Sequence, residues 1–142
     1  MANAAQLLGR KPRGIHSVAP DAPVLEAIRL MAEHGIGALL VMNGERLEGI
    51  VSERDYARNV ILRGRSSNDT PVREIMATDL ITVDPSMTAQ QCMQIMTERR
   101  VRHLPVLEGG RVVGILSIGD LVKAVLEEQA QTIEQLENYI HH

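Results

Sequence analysis

The stretch Arg111–Asp120, RVVGILSIGD, decides how this chain is read, because the chain has already said nearly the same thing at Arg46–Asp55, RLEGIVSERD. Both end in Ser-x-x-Asp. A repeat fixes an architecture before any local propensity does, so its extent comes first. A shift of 65 aligns residues 15–58 with 80–123 without a gap, and twelve aligned pairs are identical. They include Val18/Val83, Pro20/Pro85, Met31/Met96, Leu39/Leu104, Val41/Val106, Gly49/Gly114, Ser52/Ser117 and Asp55/Asp120. Chance does not hold register over such a length. The unit is duplicated.

Each copy reads the same way locally. SVAPDAP and TVDPSMT are short extended segments closed by proline, which disfavours helix in the residue before it. Apolar positions then recur at helical spacing, Val24, Ala27, Ile28 and Met31 in one copy and Ala89, Cys92, Met93 and Met96 in the other. Asp21 and Ser86 are the expected N-caps, and Cys92 is expected as a packed, inert thiol. Two strands follow in each copy, joined at NGE and EGG, which are hairpin signals. Pro105 has no N–H for a ladder, so its strand is expected at an edge or with that side open. A second helix starts at each Ser-x-x-Asp. The unit is β-α-β-β-α, twice, an α+β fold built of α/β-type repeats packed as a pseudo-twofold pair. The domains are expected at 7–63 and 77–126, with a linker and short helix at 64–76 and a C-terminal helical extension at 127–142.

Composition excludes several function classes. The chain has 142 residues, a formal net charge of -3 and only two aromatic residues of the Phe/Tyr/Trp kind, Tyr56 and Tyr139. A nucleic-acid binder is expected to be basic and to offer stacking platforms. One cysteine allows no intramolecular disulfide and no cysteine zinc site. No apolar run approaches the roughly 18 residues of a membrane helix, and the N-terminus lacks a secretory pattern. The expectation is a cytoplasmic protein with no nucleic-acid, membrane or metal partner.

The repeated Ser-x-x-Asp has two compatible uses. As a capping-box variant, Ser52 and Ser117 satisfy free N–H groups at a helix start, where the aspartates also suit the positive helix end. The same geometry forms an anion site, and an ionised carboxylate beside it accepts hydrogen bonds from a ribose diol. Gly49 and Gly114 just upstream leave room for a ligand or for close strand packing.

With these residues the chain resembles a tandem pair of cystathionine-β-synthase-type (CBS) domains. The markers are Gly-hydrophobic-hydrophobic-Ser-x-x-Asp at 49–55 and 114–120, and RVRHLPV at 100–106. The resemblance covers residues 7–123 and implies two clefts that bind adenine nucleotides: AMP or NAD(H) foremost, then ATP, ADP or S-adenosylmethionine. It implies that Asp55 and Asp120 hold ribose hydroxyls and that Ser52 and Ser117 bond the ribose or α-phosphate. It places adenine against His16, Ser17 and Val18 and against Ile81, Thr82 and Val83, with Leu39, Leu104 and Pro105 as apolar parts. Arg102 and His103 would take phosphate. Repeat 1 departs here, with Gly37 and Ala38 at those positions, and Arg54 supplies its positive charge; the corresponding residue of repeat 2 is Gly119.

The function implied is a nucleotide-sensing regulatory module that acts on an unknown protein partner through a change of shape or dimer geometry. The chain offers no nucleophile–base pair and no Walker-type loop, so no catalytic residue is assigned. A constitutive interaction scaffold with vestigial clefts is the alternative. Beyond Asp120 the apolar positions Leu121, Val122, Val125, Leu126, Ile133, Leu136 and Ile140 continue past the repeat. A homodimer through this helix is expected, or else a tail folded back on AAQLLG near the N-terminus.

Overall fold

A computed structural model of the chain describes residues 2–11 and 15–141. The elements in chain order are α1 (Ala4–Gly9), β1 (Ser17–Val18), α2 (Val24–His34), β2 (Ala38–Asn43), β3 (Arg46–Ser52), α3 (Glu53–Tyr56), α4 (Ala89–Arg99), β4 (His103–Glu108), β5 (Arg111–Ser117) and α5 (Ile118–His141). A π-helical turn, Ala57–Ile61, extends α3, and a 3-10 turn covers Val72–Glu74. The chain divides into two compact units. One holds Arg13–Ile81 with Gly109–Val112, and the other Met1–Pro12 with Thr82–Glu108 and Val113–His142.

In the unit built on repeat 1, β1 runs parallel to β2, and β2 antiparallel to β3. Val24, Ala27 and Met31 face inward from α2 and join Val18, Leu39, Val41 and Val51 in one buried cluster. The β2–β3 hairpin turns through Gly44, whose φ of 64° lies in the left-handed region that glycine adopts freely. In the unit built on repeat 2, Ala89, Cys92 and Met96 are the buried positions of α4 and match the three of α2 one for one. Cys92 is fully buried, and burial first, then the charge of Asp84, pushes its thiol up, as an inert thiol requires.

Pro105 explains the main difference between the sheets. In repeat 1 both Ser17↔Leu40 and Val18↔Val41 are paired. In repeat 2 only Val83↔Val106 remains, held by the Val83 N–H on the Pro105 carbonyl at 3.0 Å and the Leu107 N–H on the Val83 carbonyl at 2.9 Å. Proline stands where Leu40 stands in repeat 1 and has no N–H to extend the ladder. The open N–H side expected there is what the fold shows.

The expected helix caps lie two residues too early. The N-caps are Pro23 and Thr88. Thr88 forms a capping box with Gln91, whereas the first turn of α2 has no side-chain cap, because the Thr70 and Ser67 carbonyls accept from the Val24 and Leu25 N–H groups. Asp21 instead pairs with Arg73, and Ser86 donates to Asp84. Both helices end in the left-handed region, at Gly35 (φ 63°) and at its counterpart Arg100 (φ 55°).

Each unit is completed by a lead-in segment taken from before the other repeat. Ala4 and Ala5 donate to the carbonyls of Met87 and Pro85, at 2.8 and 3.0 Å, and Asn3 bridges Thr88. The corresponding bonds in the other unit run from Val72 to Ala22 and from Arg73 to Pro20, at 2.8 and 2.9 Å, and Pro71 bridges Pro23. Acceptors 85, 87 and 88 follow 20, 22 and 23 by 65, while the lead-in residues differ by 68. Ala4 and Leu7 are buried in one unit as Val72 and Ile75 are in the other.

Candidate functional site

Each Ser-x-x-Asp sits where a strand turns into a helix. Ser52 ends β3 and Ser117 ends β5, so the serine keeps extended backbone while the residues after it turn helical. Asp55 Oδ2 accepts from the Ser52 N–H and from Ser52 Oγ, both at 2.9 Å, and the Asp55 N–H donates back to Ser52 Oγ at 3.2 Å. Ser117 and Asp120 repeat this, with Ser117 N–H on Oδ2 at 2.8 Å and the Asp120 N–H on Ser117 Oγ at 3.2 Å. These are reciprocal capping boxes. In each, the carboxylate spends Oδ2 on the cap, and Oδ1 takes no hydrogen bond among the described residues.

The two copies differ in what else they hold. Lys11 donates to Asp120 Oδ2 at 2.9 Å and to the Ile115 carbonyl at 2.8 Å. Burial pulls the Asp120 carboxyl up, and the Lys11 ammonium with the Ser117 N–H outweighs it, so the group stands below the usual carboxylate range. Among the described residues Asp55 has no such cation. Neither upstream glycine leaves an opening in the described structure. A Cβ on Gly114 would meet Leu8 Cδ2 at 2.6 Å, and one on Gly49 would meet the Ala77 carbonyl at 2.7 Å and Met76 Sδ at 2.8 Å. Close packing of the lead-in segments accounts for both glycines.

The remaining candidates fall into two groups. Val18, Leu39, Val83, Leu104 and Pro105 are buried, so their side chains belong to the cores. His16, Ser17, Ile81 and Thr82 reach the surface wholly or in part, and His16 stacks on His34 with ring centroids 3.8 Å apart. Arg54 and Arg102 are exposed, and His103 is half-buried at the start of β4. The strand–helix junction joins Glu53 N–H to the Gly37 carbonyl at 3.0 Å and Ile118 N–H to the Arg102 carbonyl at 2.9 Å. Repeat 1 therefore sets an acid, Glu53, against a glycine where repeat 2 sets Ile118 against an arginine; a Cβ on Gly37 would lie 3.2 Å from Glu53 Oε1. Sequence reasoning missed Lys11. Its signal was the basic run Arg10-Lys11 directly ahead of the first repeat.

A family model of the CBS domain matches residues 12–61 and again 72–127. The chain belongs to the CBS-domain family. A mitochondrial CBS-domain protein of Arabidopsis thaliana, CBSX3, is 43% identical over 125 residues, which are 84% of this chain and 61% of that protein. The chain thus spans less than two thirds of that relative. A solved protein with CBS domains from Burkholderia ambifaria matches with a TM-score of 0.86 at 53% identity, over 90% of this chain and 96% of that one. The CBS domain pair of protein MJ0100, solved with 5′-methylthioadenosine and S-adenosyl-L-methionine, shares the fold at a TM-score of 0.78 and 19% identity, over 89% and 98% of the two chains. The CBS pair here is the duplicated β-α-β-β-α unit read from the repeat. Among the described residues no helix is long and apolar enough to cross a membrane, and no group of three or more His, Cys, Asp or Glu is placed to hold a metal.

Proposed function

We propose that this CBS pair is an adenine-nucleotide-binding regulatory module, with AMP or NAD(H) as the foremost ligands and ATP, ADP or S-adenosylmethionine as the others its chemistry admits. One observation carries the reading. In both repeats a carboxylate is fixed at a helix start by a cap that consumes Oδ2 and leaves Oδ1 to accept. That is the acceptor a ribose hydroxyl requires, beside N–H groups whose dipole favours phosphate. Ser52 and Ser117 position these carboxylates, and Arg54, Arg102 and His103 supply the positive charge for phosphate. The adenosyl ligands of the MJ0100 pair are of the same chemical class.

The module works as a homodimer and signals to a protein partner through it. The support is α5: its residues 129–140 are exposed, and they carry Ile133, Leu136 and Ile140 on a background with no lysine or arginine. A second copy provides the apolar cover.

A thermal-shift panel of AMP, ADP, ATP, NAD+, NADH and S-adenosylmethionine tests the reading, with GMP as control. A ligand that binds only the native state at a hundred times its Kd adds about 2.7 kcal/mol, a shift of several degrees for a domain of this size. No shift with any adenylate leaves the scaffold alternative. An equal shift with GMP removes adenine selectivity.

A further inference from the structure

Lys11 is held too firmly at Asp120 to be an incidental surface pair. Its ammonium makes two bonds, to Asp120 Oδ2 and to the Ile115 carbonyl, and the two side chains of the ion pair are only 29% and 25% exposed. The backbone that delivers it is fixed as well, since Leu7 of α1 is buried and Leu8 fills the space over Gly114. Around the pair lies a pocket of about 70 Å³ lined by Leu7, Arg10, Lys11, Asp120, Lys123 and Glu127. Ligand pockets run to roughly 300–1,000 Å³. With Lys11 in place the pocket beside this pair is smaller than that range.

Among the described residues repeat 1 has no equivalent: Asp55 takes only the bonds of its own capping box, and the Ile50 carbonyl is satisfied by the Ala77 N–H at 2.8 Å. No lysine or arginine occurs from Glu74 to Ile81, and at the spacing of 68 the counterpart of Lys11 is Asp79. Each Oδ2 accepts two hydrogen bonds, but Asp55 takes both from its own serine, whereas Asp120 takes one from an ammonium that also neutralises the charge a ligand would meet.

We infer that Lys11 is a built-in competitor for the Asp120 carboxylate, so that the resting chain offers adenylate the Asp55 copy and opens the Asp120 copy only when Lys11 is withdrawn. The inference rests on reading the two carboxylates as ribose acceptors. Regulation then lies in α1: whatever displaces this lead-in segment frees the second site.

Titration calorimetry with AMP on the full chain tests it, using wild type, Lys11→Met, Lys11→Arg and the double variant Lys11→Met/Asp120→Asn. Wild type and Lys11→Arg are expected to bind one AMP per chain. Lys11→Met, similar in length and uncharged, is expected to gain a second site, tightened roughly ten- to a hundredfold, the range of one charge-assisted hydrogen bond. The double variant returns to one. Two equal AMP sites in wild type, or weakened or unchanged binding in Lys11→Met, overturns the inference while the nucleotide reading stands. If no variant binds any adenylate, both fall. Reductive methylation of unliganded wild type reads the contact without a mutation, because Lys11 and Lys123 are the only lysines in the chain. Lys11 is expected to react more slowly than exposed Lys123, and equal rates overturn the inference.

Discussion

The side chain of Leu8 occupies the space that a β-carbon on Gly114 would need, with Cδ2 2.6 Å from that position. Gly49 is closed in a different way, by the backbone carbonyl of Ala77 at 2.7 Å as well as by Met76. A leucine tip can rotate away; a carbonyl in a two-bond bridge with Ile50 cannot.

Gly49→Ala is therefore expected to cost more than Gly114→Ala. Overpacking typically costs about 1–3 kcal/mol, and the first substitution belongs at the upper end. Denaturant midpoints of the two variants check the order, and a larger loss in Gly114→Ala contradicts it.

Arg100 pays for the repeat geometry. It follows α4 in the conformation that Gly35 adopts after α2, yet it carries a Cβ. The left-handed region costs a non-glycine residue roughly 1–2 kcal/mol. Arg100→Gly is expected to raise stability by about 1 kcal/mol despite the greater freedom it gives the unfolded chain. The converse change, Gly35→Arg, is expected to lower it. Thermal unfolding of both variants is the measurement.

Asp120 makes the fold sensitive to acid. Its carboxyl lies below the ordinary value in the folded chain, so its contribution to stability is fully present above the unfolded value of about 3.9 and is lost as pH falls through the folded one. Lys11→Met removes the cation that helps hold the group down, leaving only the Ser117 bonds against burial. The variant is expected to lose less stability than wild type between pH 5 and pH 2, in a range set by these directions. Melting temperature against pH is the test, and parallel curves refute it.

Truncation after Glu128 separates the two roles of α5. Up to that point the helix is tied to the N-terminal segment: Leu121 and Ala124 are buried, Glu127 pairs with Arg10, and Glu128 accepts from the Ala2 N–H at 2.8 Å. The stretch that meets the N-terminal segment thus ends at Glu128, and the tail from 129 to 140, for which a fold-back was the alternative expectation, is exposed instead. The shortened chain is expected to keep its fold and to fall from dimer to monomer mass in light scattering. An unchanged dimer assigns the contact elsewhere.

The order of elements, the alternation of core positions and both capping boxes were legible because the repeat supplies each twice. Val24, Ala27 and Met31 and their counterparts at 89, 92 and 96 needed only periodicity. The lead-in segments were not legible, since they match by burial rather than by identity and at a spacing of 68 instead of 65. The cap at Pro23 was displaced because backbone carbonyls from residues 67–70 serve α2, a partnership no local motif announces, whereas the Thr88–Gln91 box is a local motif that the reading passed over for Ser86. The Lys11–Asp120 pair joins residues 109 apart. Nothing in either residue's neighbourhood names the other.

The exchange of lead-in segments also sets an order of assembly during translation. The repeat-1 unit draws its cover from residues 71–77, made directly after it, so this cover is at hand once Ile81 has emerged. Ala4–Gly9, made before repeat 1, packs on α4, β5 and α5, which are made only from Ala89 onward. At about 5–20 residues per second, this helix waits several seconds for its seat. Until then Leu7 and Leu8 are exposed on the nascent chain, a brief hold-over that a ribosome-bound chaperone would meet first.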